Sequence, residues 1–192
     1  MKFVVLEKGK RVHVSASARR KAYYRWDPRG KSEPQKPVKV ENGSSEEFMS
    51  KMAQMVKQSR KNDWKYACME DFVLQNGRKF EYVMSNVRKG RMKECFRNAY
   101  RLASSNPDLT YVEGFAVSGN LPLPLFHAWC VDKNGVVYDP TWENGKSYFG
   151  VPFGQKFVDK TIVVRKKFGI IDNWEQGWPL VSGKEDETVW KV

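Results

Sequence analysis

A thiol, an imidazole and a carboxylate together support nucleophilic acyl chemistry, and this 192-residue chain holds only three cysteines and two histidines from which to build such a group. The stretch PLFHAWCVDKNGVVYDPTW, 124–142, carries His127 and Asp139 on either side of a turn signal, while the thiols are Cys68, Cys95 and Cys130. A carboxylate behind a histidine fixes the tautomer and orientation of its ring, and the far ring nitrogen then draws a proton from a thiol. The product is a thiolate–imidazolium pair, an arrangement that triads of different chain order share. A plain structural hydrogen bond across a hairpin, with Asp-Pro as a turn, is the alternative.

The turn decides which side chains share a face. A three-residue loop, Lys133-Asn134-Gly135, with Gly135 left-handed, sets Asp132 opposite Val136 and Trp129 opposite Asp139. His127, Trp129, Asp139 and Thr141 then lie on one face and Ala128, Cys130 and Tyr138 on the other. His127 and Asp139 become diagonal neighbours about 7–8 Å apart at the backbone, within side-chain reach. A two-residue loop would put them on opposite faces. The same parity excludes Cys130 as their thiol and leaves Cys95 or Cys68.

Both remaining thiols fall in predicted helices. RKGRMKECFRNAYRLASSNPDL predicts a helix over 91–104 ended by Asn-Pro, with Cys95, Ala99, Leu102 and Ala103 on its inward stripe. Free amide donors and the positive dipole end at a helix start stabilise a thiolate. DWKYACMEDFVLQNG predicts a second helix with Cys68 packed inside it, and SSEEFMSKMAQMVKQSRK a first, opened by a Ser44–Glu47 capping box. LTYVEGFAVSG, LFHAWCVD, GVVYDPTW and KTIVVRKKFGII read as strands. The fold class expected is α+β, helices followed by an antiparallel sheet.

Organisation and charge point to a basic segment ahead of this core. Residues 1–43 hold 12 Lys and Arg against 4 Asp and Glu, most of the chain's net charge of +12. Val12, Val14 and Ala16 alternate with polar residues as in a small hairpin, and a Pro-, Gly- and Lys-rich stretch follows. The reading is 1–30 as a basic N-terminal β segment, 31–45 as linker or long loop, and 46–192 as the catalytic domain. The basic segment offers a surface to nucleic acid or an acidic partner. Scattered cysteines without C-x-x-C spacing argue against a metal site or disulfide framework, and no cofactor is implied. No apolar run reaches the roughly 20 residues of a membrane span, so a cytoplasmic protein without membrane association is expected.

A cysteine early in a helix, then YVEGFAV, then HAW and DPTW on successive strands, resembles the catalytic core of the transglutaminase-like superfamily among the papain-like cysteine enzymes. The matching residues run from Cys95 to Trp142. The resemblance implies Cys95 as nucleophile, His127 as base and later acid, and Asp139 as the orienting carboxylate, acting on a protein or peptide substrate by acyl transfer or hydrolysis. Trp129 and Trp142 are candidates for the substrate wall, and Asn98, Gln75 or Asn76 for an oxyanion donor beside the Cys95 amide. The competing expectation is a nucleic-acid-binding or phage-type structural protein without catalytic activity.

Overall fold

In the computed structural model the described residues are 4–7, 10–13, 37–39, 44–59, 63–84 and 86–192. The chain divides into two units, Met1–Lys36 and Pro37–Val192. Strands β1 (Val4–Glu7) and β2 (Lys10–His13) pair antiparallel in the first. Val14 and Ala16 of the predicted hairpin, and most of the predicted linker, lie outside the described residues. Val38–Lys39 of that linker is strand β3 of the main sheet.

The second unit is α+β. Its elements are α1 (Ser44–Ser59), α2 (Met69–Asn76), β4 (Arg78–Phe80), β5 (Tyr82–Val83), α3 (Cys95–Ser105), β6 (Thr110–Ser118), β7 (Leu121–Val131), β8 (Val137–Tyr138), β9 (Gly145–Phe153), α4 (Gln155–Arg165), α5 (Pro179–Ser182) and α6 (Glu187–Trp190). The seven strands run in the order β3-β5-β8-β7-β6-β9-β4. The sheet is mixed, not antiparallel throughout as expected, because β5 pairs parallel with β8. Helices also follow it.

Alternation on the central strands separates two layers of core. Tyr111 and Phe115 of β6 and Ala128 and Cys130 of β7 pack with Met49, Phe72, Ala99 and Leu102 of the helices. Val112, Ala116, Trp129, Val131 and Tyr148 pack with Phe80 and Val137. Burial on this scale supplies the main driving force for the fold. Glu113, fully buried on β6, accepts hydrogen bonds from the Tyr111 hydroxyl at 2.6 Å and from the Ile170 and Ile171 amides at 2.6 and 2.9 Å, which anchors the loop after α4.

Three elements differ from their sequence reading. KTIVVRKKFGII is not a strand: α4 runs to Arg165, burying Phe157, Val158 and Ile162 on a helical stripe while Val163 and Val164 stay exposed. Packing of that stripe overrides the β preference of its branched residues. The second helix starts only at Met69, so Cys68 flanks it as the N-cap residue. The third starts at Cys95 instead of Arg91, because Lys93 takes a left-handed φ of 67° that no helix continues through.

Candidate functional site

The hairpin between β7 and β8 closes with the three-residue loop. Gly135 has φ of 77°, the Asp132 amide donates to Val136 O, and Cys130 and Val131 pair with Tyr138 and Val137. That register sets Trp129 opposite Asp139 and turns His127 and Asp139 to one side. His127 Nε2 lies 2.8 Å from Asp139 Oδ2, both side chains fully buried. With Nε2 held by the carboxylate, Nδ1 is the ring atom left for a further partner.

That partner is Cys95. Burial alone lowers the affinity of the His127 ring for a proton, but the Asp139 charge and hydrogen bond, joined by a hydrogen bond and charge interaction with Cys95, outweigh it and raise the imidazole to about 9. The upward shift favours the protonated form of the ring. The thiol comes from the first residue of α3, where Glu94 offers no side-chain cap and turns instead to Arg91 and Arg97. The first amides of this helix lack a side-chain cap.

The other two thiols are differently placed. Cys68 is half-buried and pushed up to about 11 by burial. Cys130 is fully buried, donates to Ala99 O at 3.2 Å, and burial raises it too. Of the three thiols, Cys95 is the one whose hydrogen bonding and charge act on the His127 ring.

Asp139 is held by four donors. Its Oδ2 accepts from His127 and, at 2.9 Å, from the Tyr148 hydroxyl, and its Oδ1 from the Thr141 and Trp142 amides at 2.8 and 3.0 Å. Burial pushes this carboxyl up, but His127 and the two amides more than reverse that, leaving it below the ordinary value. Tyr148 comes from β9, a strand with no counterpart in the sequence reading. Gly145 admits it, since a Cβ there would collide with the Tyr148 hydroxyl.

The two tryptophans assigned to the substrate wall part company. Trp142 is half-buried and stacks on the His127 ring at 3.8 Å between centroids and 9° between planes, so it caps the ring. Trp129 is fully buried, packed edge-on to Phe80 and Tyr148 and against Gly150, where a Cβ would come within 2.7 Å of the indole. It is core, and its assignment to substrate is corrected: the parity placing it beside His127 is right, but the layer above it is closed.

The oxyanion candidates are engaged elsewhere. Asn98 Nδ2 donates to Arg91 O at 2.8 Å and to Thr141 Oγ1 at 3.0 Å, which uses both amide hydrogens and ties α3 to the turn carrying Asp139. Asn98 is a brace, and the expectation of an oxyanion donor is corrected. Gln75 Nε2 donates to Asp71 Oδ1 at 2.8 Å, and Asn76 Nδ2 to Phe72 O at 2.9 Å within α2. None of these bonds reaches the side chains of Cys95, His127 or Asp139.

Lys89 escaped the sequence reading. Its Nζ donates to Asp139 O at 2.8 Å and Trp142 O at 2.6 Å, and the Gly90 amide donates to Pro140 O at 2.7 Å. Burial pulls this ammonium below its ordinary value, opposed by the charges of Asp139 and Glu143. Lys89 and Asn98 clamp the turn 139–142 from two sides, and no local pattern announces either bond. Among the described residues no cluster of three or more His, Cys, Asp or Glu could hold a metal ion, and no helix is long and apolar enough to cross a membrane. The chain matches no family model, no curated protein and no solved structure.

Proposed function

We propose that the protein is a cysteine-dependent acyltransferase or hydrolase acting on an amide or ester carbonyl of a protein or peptide. The Cys95 thiolate attacks the carbonyl carbon, and amide donors at the start of α3, that of Cys95 first, receive the oxyanion. His127 Nδ1 then gives its proton to the departing amine or alcohol, and the carbon–sulfur bond of a thioacyl enzyme remains. The neutral ring takes a proton from water or an acceptor amine, which attacks the thioester and restores Cys95. Asp139 holds the ring throughout, and Trp142 shields the ion pair from water.

The observation that carries this reading is the buried imidazole held at Nε2 by Asp139, 2.8 Å away, with the Cys95 side chain as its further partner. The order Cys, His, Asp is that of the transglutaminase-like enzymes the sequence resembles, which supports the same assignment. The test is incubation with an activated ester and mass spectrometry of the peptides. Acylation of Cys95, discharged faster by water or an added amine than the adduct of the His127→Ala variant, is expected; a protein that remains unacylated at Cys95 contradicts the proposal.

The charge of residues 1–43 favours a second function for that segment, binding of nucleic acid or an acidic partner. Deleting those residues should abolish salt-sensitive retention on nucleic acid. Unchanged retention rules that function out.

A further inference from the structure

Positive charge outside the N-terminal segment is gathered in one stretch. Residues 44–192 hold 22 Lys and Arg against 18 Asp and Glu, a net charge of +4, whereas 86–104 alone hold six against one, a net charge of +5. The rest of 44–192 is therefore slightly negative, and the cationic stretch is the one that carries Cys95. Glu94 is its single carboxylate, and it lies 3.0 Å from Arg97 and 3.8 Å from Arg91. Lys89 is spent on the Asp139 and Trp142 carbonyls. Two cations are left facing water: Arg91, its side chain 83% exposed, and Lys93, exposed and without a hydrogen bond or ion pair among the described residues.

The fold fixes these two cations close to the thiol. The loop 89–94 is tied to the turn 139–142 by the Gly90 amide on Pro140 O at 2.7 Å, and to α3 by Asn98 Nδ2 on Arg91 O at 2.8 Å. Gly90 is required there, because a Cβ would come within 2.2 Å of the Asn98 side chain. Between these ties and the first turn of the helix, Lys93 takes its left-handed φ of 67°, a conformation that a non-glycine residue keeps only where its surroundings impose it. Its Cα is two residues from that of Cys95, a span of at most about 7 Å. The loop is thus a fixed cationic rim joining the helix start that carries Cys95 to the turn that carries Trp142.

Resting on the acyl-transfer reading, we infer that the polypeptide substrate carries an acidic side chain beside the carbonyl that Cys95 attacks, and that Arg91 and Lys93 receive its carboxylate. A guanidinium presents paired donors matched to a carboxylate, and a flexible ammonium adds a point charge. A single-stranded nucleic acid needs rings on which its bases stack. Both aromatic residues of the stretch are engaged, Phe96 with Phe126 and Tyr100 with Phe168. Its exposed large apolar residue is Met92, whose pliable thioether suits contact with a peptide side chain. Arg91 and Lys93 determine specificity and take no part in proton transfer.

Two fluorescent peptides that differ only in Glu for Gln test this, their binding to the Cys95→Ala protein read by anisotropy so that no chemistry is required. The Glu peptide should bind at least about fivefold more tightly at low salt. That preference should fade near about 1 M salt, and Arg91→Gln combined with Lys93→Gln should remove it. Equal binding of the two peptides overturns the inference, as does a preference that survives the double replacement. Binding of oligothymidylate that depends on Arg91 and Lys93, with no preference between the peptides, identifies a nucleic-acid surface, and the inference falls. With Cys95 intact, the ratio of its alkylation rates by anionic iodoacetate and neutral iodoacetamide should drop at least about twofold in the double variant; an unchanged ratio also overturns the inference. The iodoacetamide rate in the wild type separates the two readings. A Cys95 that labels no faster than Cys68 sinks the catalytic reading and the inference with it, whereas fast labelling with equal peptide binding sinks the inference alone.

Discussion

The two halves of β7 differ in regularity and meet opposite fates: His127 to Val131 pair with β6 in unbroken register, whereas the register shifts between Pro124 and Leu121. From His127 to Val131 every residue is buried, whereas Leu121, Leu123 and Leu125 stand in solvent. The difference is in what lies alongside. β8 and the turn 139–142 cover the inner half, bringing Asp139, Trp142 and the start of α3 around the imidazole; the outer half keeps β6 alone. Alternation therefore fixes which residues share a face where the register is unbroken, but the neighbouring layer decides whether that face is buried or left in water.

The largest effects should come from the inner half. His127→Ala, which on the proposed mechanism removes both the base and the counter-charge of the thiol, should slow Cys95 alkylation by about 10²–10⁴-fold at neutral pH, as measured by iodoacetamide kinetics. Trp129→Ala should cost about 3–5 kcal/mol in denaturant unfolding, the loss expected for emptying a packed aromatic site; a cost under about 1 kcal/mol would return Trp129 to the substrate wall. Tyr148→Phe should cost about 1.5–3 kcal/mol, since it removes a donor to a buried carboxylate.

The His127–Asp139 pair makes stability depend on pH from both ends. The raised imidazole contributes stability that is complete below its unfolded value of 6.5 and is lost as pH rises through about 9. The lowered Asp139 carboxyl contributes stability present above 3.8 and lost as pH falls through its depressed folded value. Urea midpoints should therefore fall from pH 7 to 10 in the wild type and fall less in His127→Ala. At the small end, Leu123→Ser on the outer half should change stability by under about 0.5 kcal/mol, because its side chain is already in water. A larger loss would mean that something in this chain covers the outer half.

The sequence exposed the hairpin well because its turn chemistry and its period of two agree: Asp132, Asn134 and Gly135 favour the three-residue loop over a two-residue one, and that loop dictates the pairing of His127 with Asp139. Strand β9 was hidden since Gly145, Gly150 and Pro152 dilute its β-forming residues, and the bond from Tyr148 to Asp139 was hidden with it. Lys89 was illegible for another reason. Its partners are backbone carbonyls 50 and 53 residues away, and a lysine reaching main-chain oxygen leaves no mark on either segment. Asn98 looked like a donor awaiting a substrate because its spacing from Cys95 is right; only the fold brings Thr141 and Arg91 O to it.

The most direct measurement is the rate at which each of the three thiols reacts with iodoacetamide at about pH 6–7, resolved by peptide mass spectrometry. Cys95 should react much faster than Cys68 and Cys130, and His127→Ala should erase the preference. Equal, slow labelling of all three in the folded wild-type protein would show that no thiolate–imidazolium pair exists.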